Sequence, residues 1–303
     1  MVRFSPDLSA WLVSELGQGR APRALVETMI AERMEPAVAS AIVVAFVAAR
    51  RDGRPVPVDS LLLEDGPAPF RHDAPRLAPG LRLAAADREV RVVMRRERPC
   101  LAVLEGLLND DERGELMELA RPRLTPSTLV DPETGLDVVA SERTSFGMFF
   151  RLRENALVAR LDQRFSEVMG LPEENGEGLQ VLRYPNLGES KPHFDFLRPT
   201  NDANRASLER SGQRVSTLIT YLNEVEAGGE TLFPALELSV APAPGRGVYF
   251  EYTNRLGQVD ESSLHAGGRV LRGEKWVATK WMRERRFVSA ASGVGVSREK
   301  SSP

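Results

Sequence analysis

Apolar residues recur at helical spacing through the first fifty positions of the chain. Leu8, Trp11, Leu12 and Leu16 follow Ser5, an N-cap residue, and Pro6, suited to the first helical position, and Gly17 and Gly19 mark the stop. A second helix is predicted from about Pro22, with Leu25, Met29 and Ile30 on one face. A third, from near Glu35, carries Val38, Ile42, Val43, Phe46 and Val47. From Arg50 to about Ala85 the periodicity dissolves into RRDGRPVPVDS and EDGPAPFRHDAPRLAPG, rich in proline, glycine and charge, which read as linker. EVRVVMRRERPCLAVLEGLL then has the character of strand, whereas NDDERGELMELARPRL and residues 154–170 have that of helix. After Gly178 the runs LQVLRY, PHFDF, RVSTLITYL, LELSVAP, GVYFEYT and KWVATKWM alternate with turn residues, which predicts a sandwich or barrel of mostly antiparallel strands. The expected organisation is an N-terminal helical region (1–50), a linker (51–87), one α+β domain (88–290) and a polar tail (291–303).

Composition narrows the function classes. A formal net charge of −3 offers no global attraction to nucleic acid or to an anionic membrane. The longest apolar stretch, 37–49, falls short of the ~18 residues needed to span a bilayer, and the N-terminus lacks the pattern of a signal peptide. Cys100 is the only cysteine, so no internal disulfide forms and a cytoplasmic setting is the default. Its bland reading is that of a small buried hydrophobe.

Only three histidines occur, His72, His193 and His265, which makes a search for imidazole chemistry sharp. His72 sits in the linker and reads as a solvated loop residue. His193 and Asp195 flank Phe194 inside an expected strand, where a period of two projects them to one face. They form two corners of a 2-His-1-carboxylate triad, with His265 available as the third, and such a triad leaves positions open on a ferrous ion for an oxidisable co-substrate and O₂. The tripeptide H-x-D alone is weak evidence. Lys275, ten residues after His265, strengthens it. In an alternating strand Lys275, Val277, Thr279 and Trp281 share a face, and a cation buried on that face needs an anion, such as the remote carboxylate of a keto-diacid. Trp276 and Trp281 read first as packing groups.

GLQVLRY, KPHFDF, QRVSTLITYLN, AGGETLFP, SLHAG and GEKWVATKW stand in the order and spacing of bacterial prolyl 4-hydroxylase-type domains, and RTSFGMFF resembles that family's RTS-G-F segment. The resemblance covers roughly residues 88–288. It implies a double-stranded β-helix, or jelly-roll, core flanked by helices, and an iron(II), 2-oxoglutarate-dependent dioxygenase that hydroxylates a peptidyl residue, with release of succinate and CO₂ and with L-ascorbate as the rescuing reductant. It further implies His193, Asp195 and His265 as metal ligands, Lys275 on the 2-oxoglutarate 5-carboxylate, Tyr184 and Thr231 as hydroxyl partners of the same co-substrate, and Arg214 and Arg143 near the peptide. Two positions depart from the family pattern. Ser190 stands where members often have tyrosine, and Arg269-Val270 where P-V is common. Both touch the proline preference rather than metal or co-substrate binding.

Competing readings keep parts of this picture. One retains iron and 2-oxoglutarate but takes a free amino acid, small metabolite or alkylated nucleobase as substrate. Another is a non-enzymatic jelly-roll module, disfavoured because His193, Asp195, His265 and Lys275 are all present. A zinc hydrolase would use the same three ligands but gives Lys275 no task. For the N-terminal helices three roles stand open: substrate recruitment, self-association into a homo-oligomer, or a cap on the β-core.

Overall fold

A computed structural model of the protein describes residues 2–61, 70–127, 129–130, 137–138 and 144–289. The chain forms two compact units, Met1–Pro69 and Phe70–Pro303. In the first, helices span Pro6–Gly17, Pro22–Ala31 and Pro36–Arg51. Each opens on a proline, whose fixed φ suits the first helical turn and whose missing N–H costs nothing there. Ser5 caps the first helix by accepting the Leu8 amide at 3.2 Å. Leu12, Leu25, Met29, Ile42, Val43 and Phe46 form the core between them, while Ile30 is exposed.

The second unit is built on two antiparallel sheets. The larger runs edge to edge through Arg82–Ala85, Arg88–Glu97, Cys100–Glu105, Gly247–Glu251, Arg214–Tyr221, Lys275–Arg283, Leu179–Tyr184, Phe146–Phe150 and Thr125–Pro126. The smaller runs through Ser190–His193, His265–Gly267, Thr231–Phe233 and Leu238–Val240. Alternation along the larger sheet sends side chains to two separate cores. Leu182, Tyr221, Val248, Phe250 and Val277 pack with Phe233 and Val240 of the smaller sheet. On the other face Val181, Leu218, Tyr249, Trp276, Ala278 and Met282 pack with Leu116 and Ala120 of helix Asp110–Ala120 and with Leu157, Leu161 and Phe165 of helix Ala156–Met169. Helix layer, large sheet and small sheet therefore stack in that order, the layout of a jelly-roll flanked by helices.

The second of these helices is bounded by chemistry legible in the chain. Asn155 accepts the Val158 amide at 2.9 Å, and Gly170 closes the other end at φ 66°, a left-handed conformation that glycine adopts without strain. Its buried Arg164 joins Asp87 and Glu112, tying helix to hairpin.

Several elements differ from expectation, among them the short strand Ser60–Leu61 in the expected linker, paired with Val2–Arg3. Arg82–Ala85, inside the expected linker, is a strand paired with Arg88–Glu97. Helix Asp202–Ser211, with Asn201 as its cap, interrupts the β-rich region. Among the described residues no helix is long and apolar enough to cross a membrane.

Candidate active site

A cleft of about 420 Å³ opens between the sheets, lined from the larger one by Leu182, Tyr184, Ile219, Lys275, Val277, Thr279 and Trp281, and from the smaller one by Ser190, His193, Thr231 and His265. His193 and His265 face each other as cross-strand partners, their ring centroids 4.4 Å apart. Each ring is fixed by its own backbone: Nδ1 of His193 lies 2.8 Å from the Lys191 carbonyl, and Nδ1 of His265 lies 3.0 Å from that of Ser263. A carbonyl only accepts, so Nδ1 carries the proton in both rings and Nε2 is the ligand atom.

Asp195 completes the group by a route other than strand alternation. The strand stops at His193, and Asp195 lies two residues beyond it in a bend. Its carboxylate nonetheless reaches both rings, Oδ1 at 3.9 Å from His193 Nε2 and Oδ2 at 3.6 Å from His265 Nε2. Burial pushes the Asp195 carboxyl upward, but His265, His193, Arg214 and the Thr217 hydroxyl outweigh it and hold the group down at about 2. The three ligand atoms lie within 4.8 Å of one another, close enough for one metal ion. Two imidazoles and a carboxylate suit ferrous iron, and His72 is not among them.

Lys275 stands deeper in the cleft, 3% exposed. Among the described residues no carboxylate lies within ion-pair distance of its Nζ. Its neighbours are the rings of Tyr184 at 5.4 Å and Tyr221 at 5.5 Å. Burial lowers its pKa to about 8, opposed only by the more distant Glu230. Tyr184 is its direct cross-strand partner. Thr231 is buried beside it, its hydroxyl 2.6 Å from that of Tyr221. A buried ammonium between two tyrosine rings, with no carboxylate at ion-pair distance among the described residues, fits the carboxylate end of a small acid.

Arg214 stands against two residues that line the cleft, Asp195 and Trp281. Its guanidinium donates to Glu177 from Nε and Nη2 (2.7 and 2.9 Å) and from Nη1 to the Asp195 carbonyl at 3.3 Å. Its Cζ also lies 4.1 Å from the centroid of the Trp281 ring. Glu177 is held ionised against its burial by Arg214 and Arg283. Arg143 lies outside the described residues. Two supporting groups escaped the reading of the sequence, Glu177 and Thr217. Glu177 sits in the polar turn EENGEGL, with no apolar period to mark it.

Residues 179–283 match the 2OG-Fe(II) oxygenase superfamily. Prolyl 4-hydroxylase 1 of Arabidopsis thaliana is 40% identical over 202 residues, covering 62% of this chain and 70% of that protein. Prolyl 4-hydroxylase subunit alpha-2 of Gallus gallus is 37% identical over 179 residues, 59% of this chain but 33% of the subunit's own length. A solved viral collagen prolyl hydroxylase from Paramecium bursaria Chlorella virus-1, in complex with 2OG, aligns with 60% of this chain and 95% of its own at 26% identity and a TM-score of 0.49. The matched stretch holds both histidines, Asp195 and Lys275 of the cleft, and on the strength of the plant relative this chain belongs to the prolyl 4-hydroxylase family of 2OG-Fe(II) oxygenases.

Proposed function

We propose that this protein hydroxylates a peptidyl residue, proline by analogy with its relatives, in a reaction dependent on Fe(II) and 2-oxoglutarate. The observation that carries this is the convergence of His193, Asp195, His265 and a carboxylate-free Lys275 on one cleft. Bound iron with 2-oxoglutarate and O₂ supplies the oxidation: one oxygen atom enters the substrate C–H bond, the other enters succinate, and CO₂ leaves. The chain's own groups then have distinct tasks. His193, Asp195 and His265 would hold the metal. Lys275 pairs with the distal carboxylate of 2-oxoglutarate, and the Tyr184 and Thr231 hydroxyls support the same end. Leu182, Ile219 and Val277 exclude water around the reacting centre.

On the substrate side, Trp281 lines the cleft, and its indole N–H is buried without an acceptor among the described residues, which suits a peptide carbonyl. Arg214 serves this face by fixing the Trp281 ring, and Arg143 is assigned here by resemblance alone. L-ascorbate as reductant, a cytoplasmic setting and the assignment of residues 88–290 as the catalytic domain belong to the same proposal. The N-terminal helices, with self-association among their roles, stand outside it.

The test is succinate formation from 2-oxoglutarate, stimulated by a proline-containing peptide, together with the mass gain of one oxygen atom on that peptide. His193→Ala abolishes both; wild-type turnover in that variant would end the proposal. Oxygen gain on a free amino acid but on no peptide would move the protein to the small-molecule reading.

A further inference from the structure

Of His193, Asp195 and His265, Asp195 alone lies outside a strand, so its orientation depends on what its side chain meets.

 The Asp195 Oδ2 atom accepts a hydrogen bond from the Thr217 hydroxyl at 2.7 Å, and the Thr217 oxygen lies 3.0 Å from the Tyr252 hydroxyl. Thr217 and Tyr252 are both fully buried, within the inter-sheet region behind the cleft. An ionised carboxylate has no proton to give, so Thr217 donates to Asp195 and is left to accept from Tyr252. The result is a one-way chain, Tyr252 to Thr217 to Asp195. A bulge makes it geometrically available. The Arg214–Tyr221 strand carries one extra residue between Arg214 and Ser216 relative to its Lys275–Arg283 neighbour, which brings both Arg214 and Thr217 to the Asp195 side of the sheet. Arg214 then holds the Asp195 backbone carbonyl while Thr217 holds its side chain.

We propose that Thr217, backed by Tyr252, is a positioning residue for the metal site. It occupies Oδ2 of Asp195, locks the carboxylate rotation, and leaves Oδ1 as the oxygen presented beside His193. Such outer hydrogen bonds typically change metal affinity by roughly 10–100-fold when removed. The inference rests on the metal reading of the cleft, and its test separates the two.

Co²⁺ is titrated anaerobically into the metal-free full-length protein, following its visible absorption, for wild type, His193→Ala, Thr217→Val, Thr217→Ser and Tyr252→Phe. The expected result is a Co²⁺ dissociation constant raised roughly 10–100-fold in Thr217→Val, near wild type in Thr217→Ser, and raised by a smaller factor in Tyr252→Phe. At saturating Fe²⁺ the KM for 2-oxoglutarate stays unchanged in Thr217→Val, because Lys275 is untouched. Wild-type Co²⁺ affinity in Thr217→Val would overturn the positioning role while leaving the metal site standing. Failure of the wild type itself to bind Co²⁺ would overturn the metal reading. Should Thr217→Val fail to fold, Tyr252→Phe decides alone: unchanged Co²⁺ affinity and an unchanged Co²⁺ spectrum there overturn the chain of hydrogen bonds.

Discussion

At the scale of single residues, Lys275 sets the clearest expectation. Burial lowers its pKa to about 8 from the usual 10.5. Between those values the unfolded chain holds a proton that the folded protein has released, so stability rises with pH across that window. Binding a dicarboxylate demands the charged form, and the sign reverses for the ligand. Affinity for 2-oxoglutarate is expected to be flat below about pH 8 and to fall about tenfold per unit above it, measured by calorimetric titration in the presence of a redox-inert metal. Lys275→Met removes most of the affinity and the pH dependence with it; an affinity that does not fall above about pH 8 would count against the pairing. His193, His265 and Lys275 were legible in the sequence because so few histidines compete and because a charged residue on an apolar strand face is conspicuous. Thr217 was hidden by the bulge: counting in twos from Arg214 places it on the opposite face. Glu177 was hidden because its partners, Arg214 and Arg283, are distant in sequence and a polar turn advertises nothing.

Single elements show where alternation holds and where it ends. Along Lys275–Arg283 it holds without exception: Lys275, Val277, Thr279 and Trp281 line the cleft, and Trp276, Ala278 and Met282 join the helix-side core. Lys280 shares that second face and is fully buried, with its Nζ 2.7 Å from Asp162 of helix Ala156–Met169 and 2.6 Å from the Glu177 carbonyl. Removing the lysine leaves a buried carboxylate without its cation. Lys280→Met is therefore expected to cost about 3–5 kcal/mol in urea unfolding, and the double change with Asp162→Leu to recover most of it. A loss below about 1 kcal/mol in the single variant would show that the pair is solvated or replaceable. The strand Ser190–His193 ends two residues short of Asp195, so the carboxylate reaches the two histidines from outside the strand expected to orient it. Helix Asp202–Ser211 went unread because its residues are mostly polar and give no apolar stripe, although Asn201 caps it as Ser5 caps the first helix.

For the whole molecule, the layering of helices, large sheet and small sheet was foreshadowed by the β-rich second half and its turn spacing, while the boundary between compact units, after Pro69, falls inside the expected linker. The strand Lys275–Arg283 lies in the interior of the larger sheet and serves both cores. It carries a buried ammonium on each face, one matched by Asp162 and the other by no acid of the described chain. On the proposed reading, the partner of this second ammonium in an ion pair is the distal carboxylate of 2-oxoglutarate. A co-substrate that completes it acts as part of the interior: the melting temperature is expected to climb with added 2-oxoglutarate, and to climb less with a 2-oxo acid of the same length that lacks the second carboxylate. Equal shifts for the two acids would mean that the metal end of the ligand does all the stabilising. On the proposed reading, the same lysine that stands without a carboxylate partner among the described residues is the group by which the cleft tells a keto-diacid from a simple keto acid.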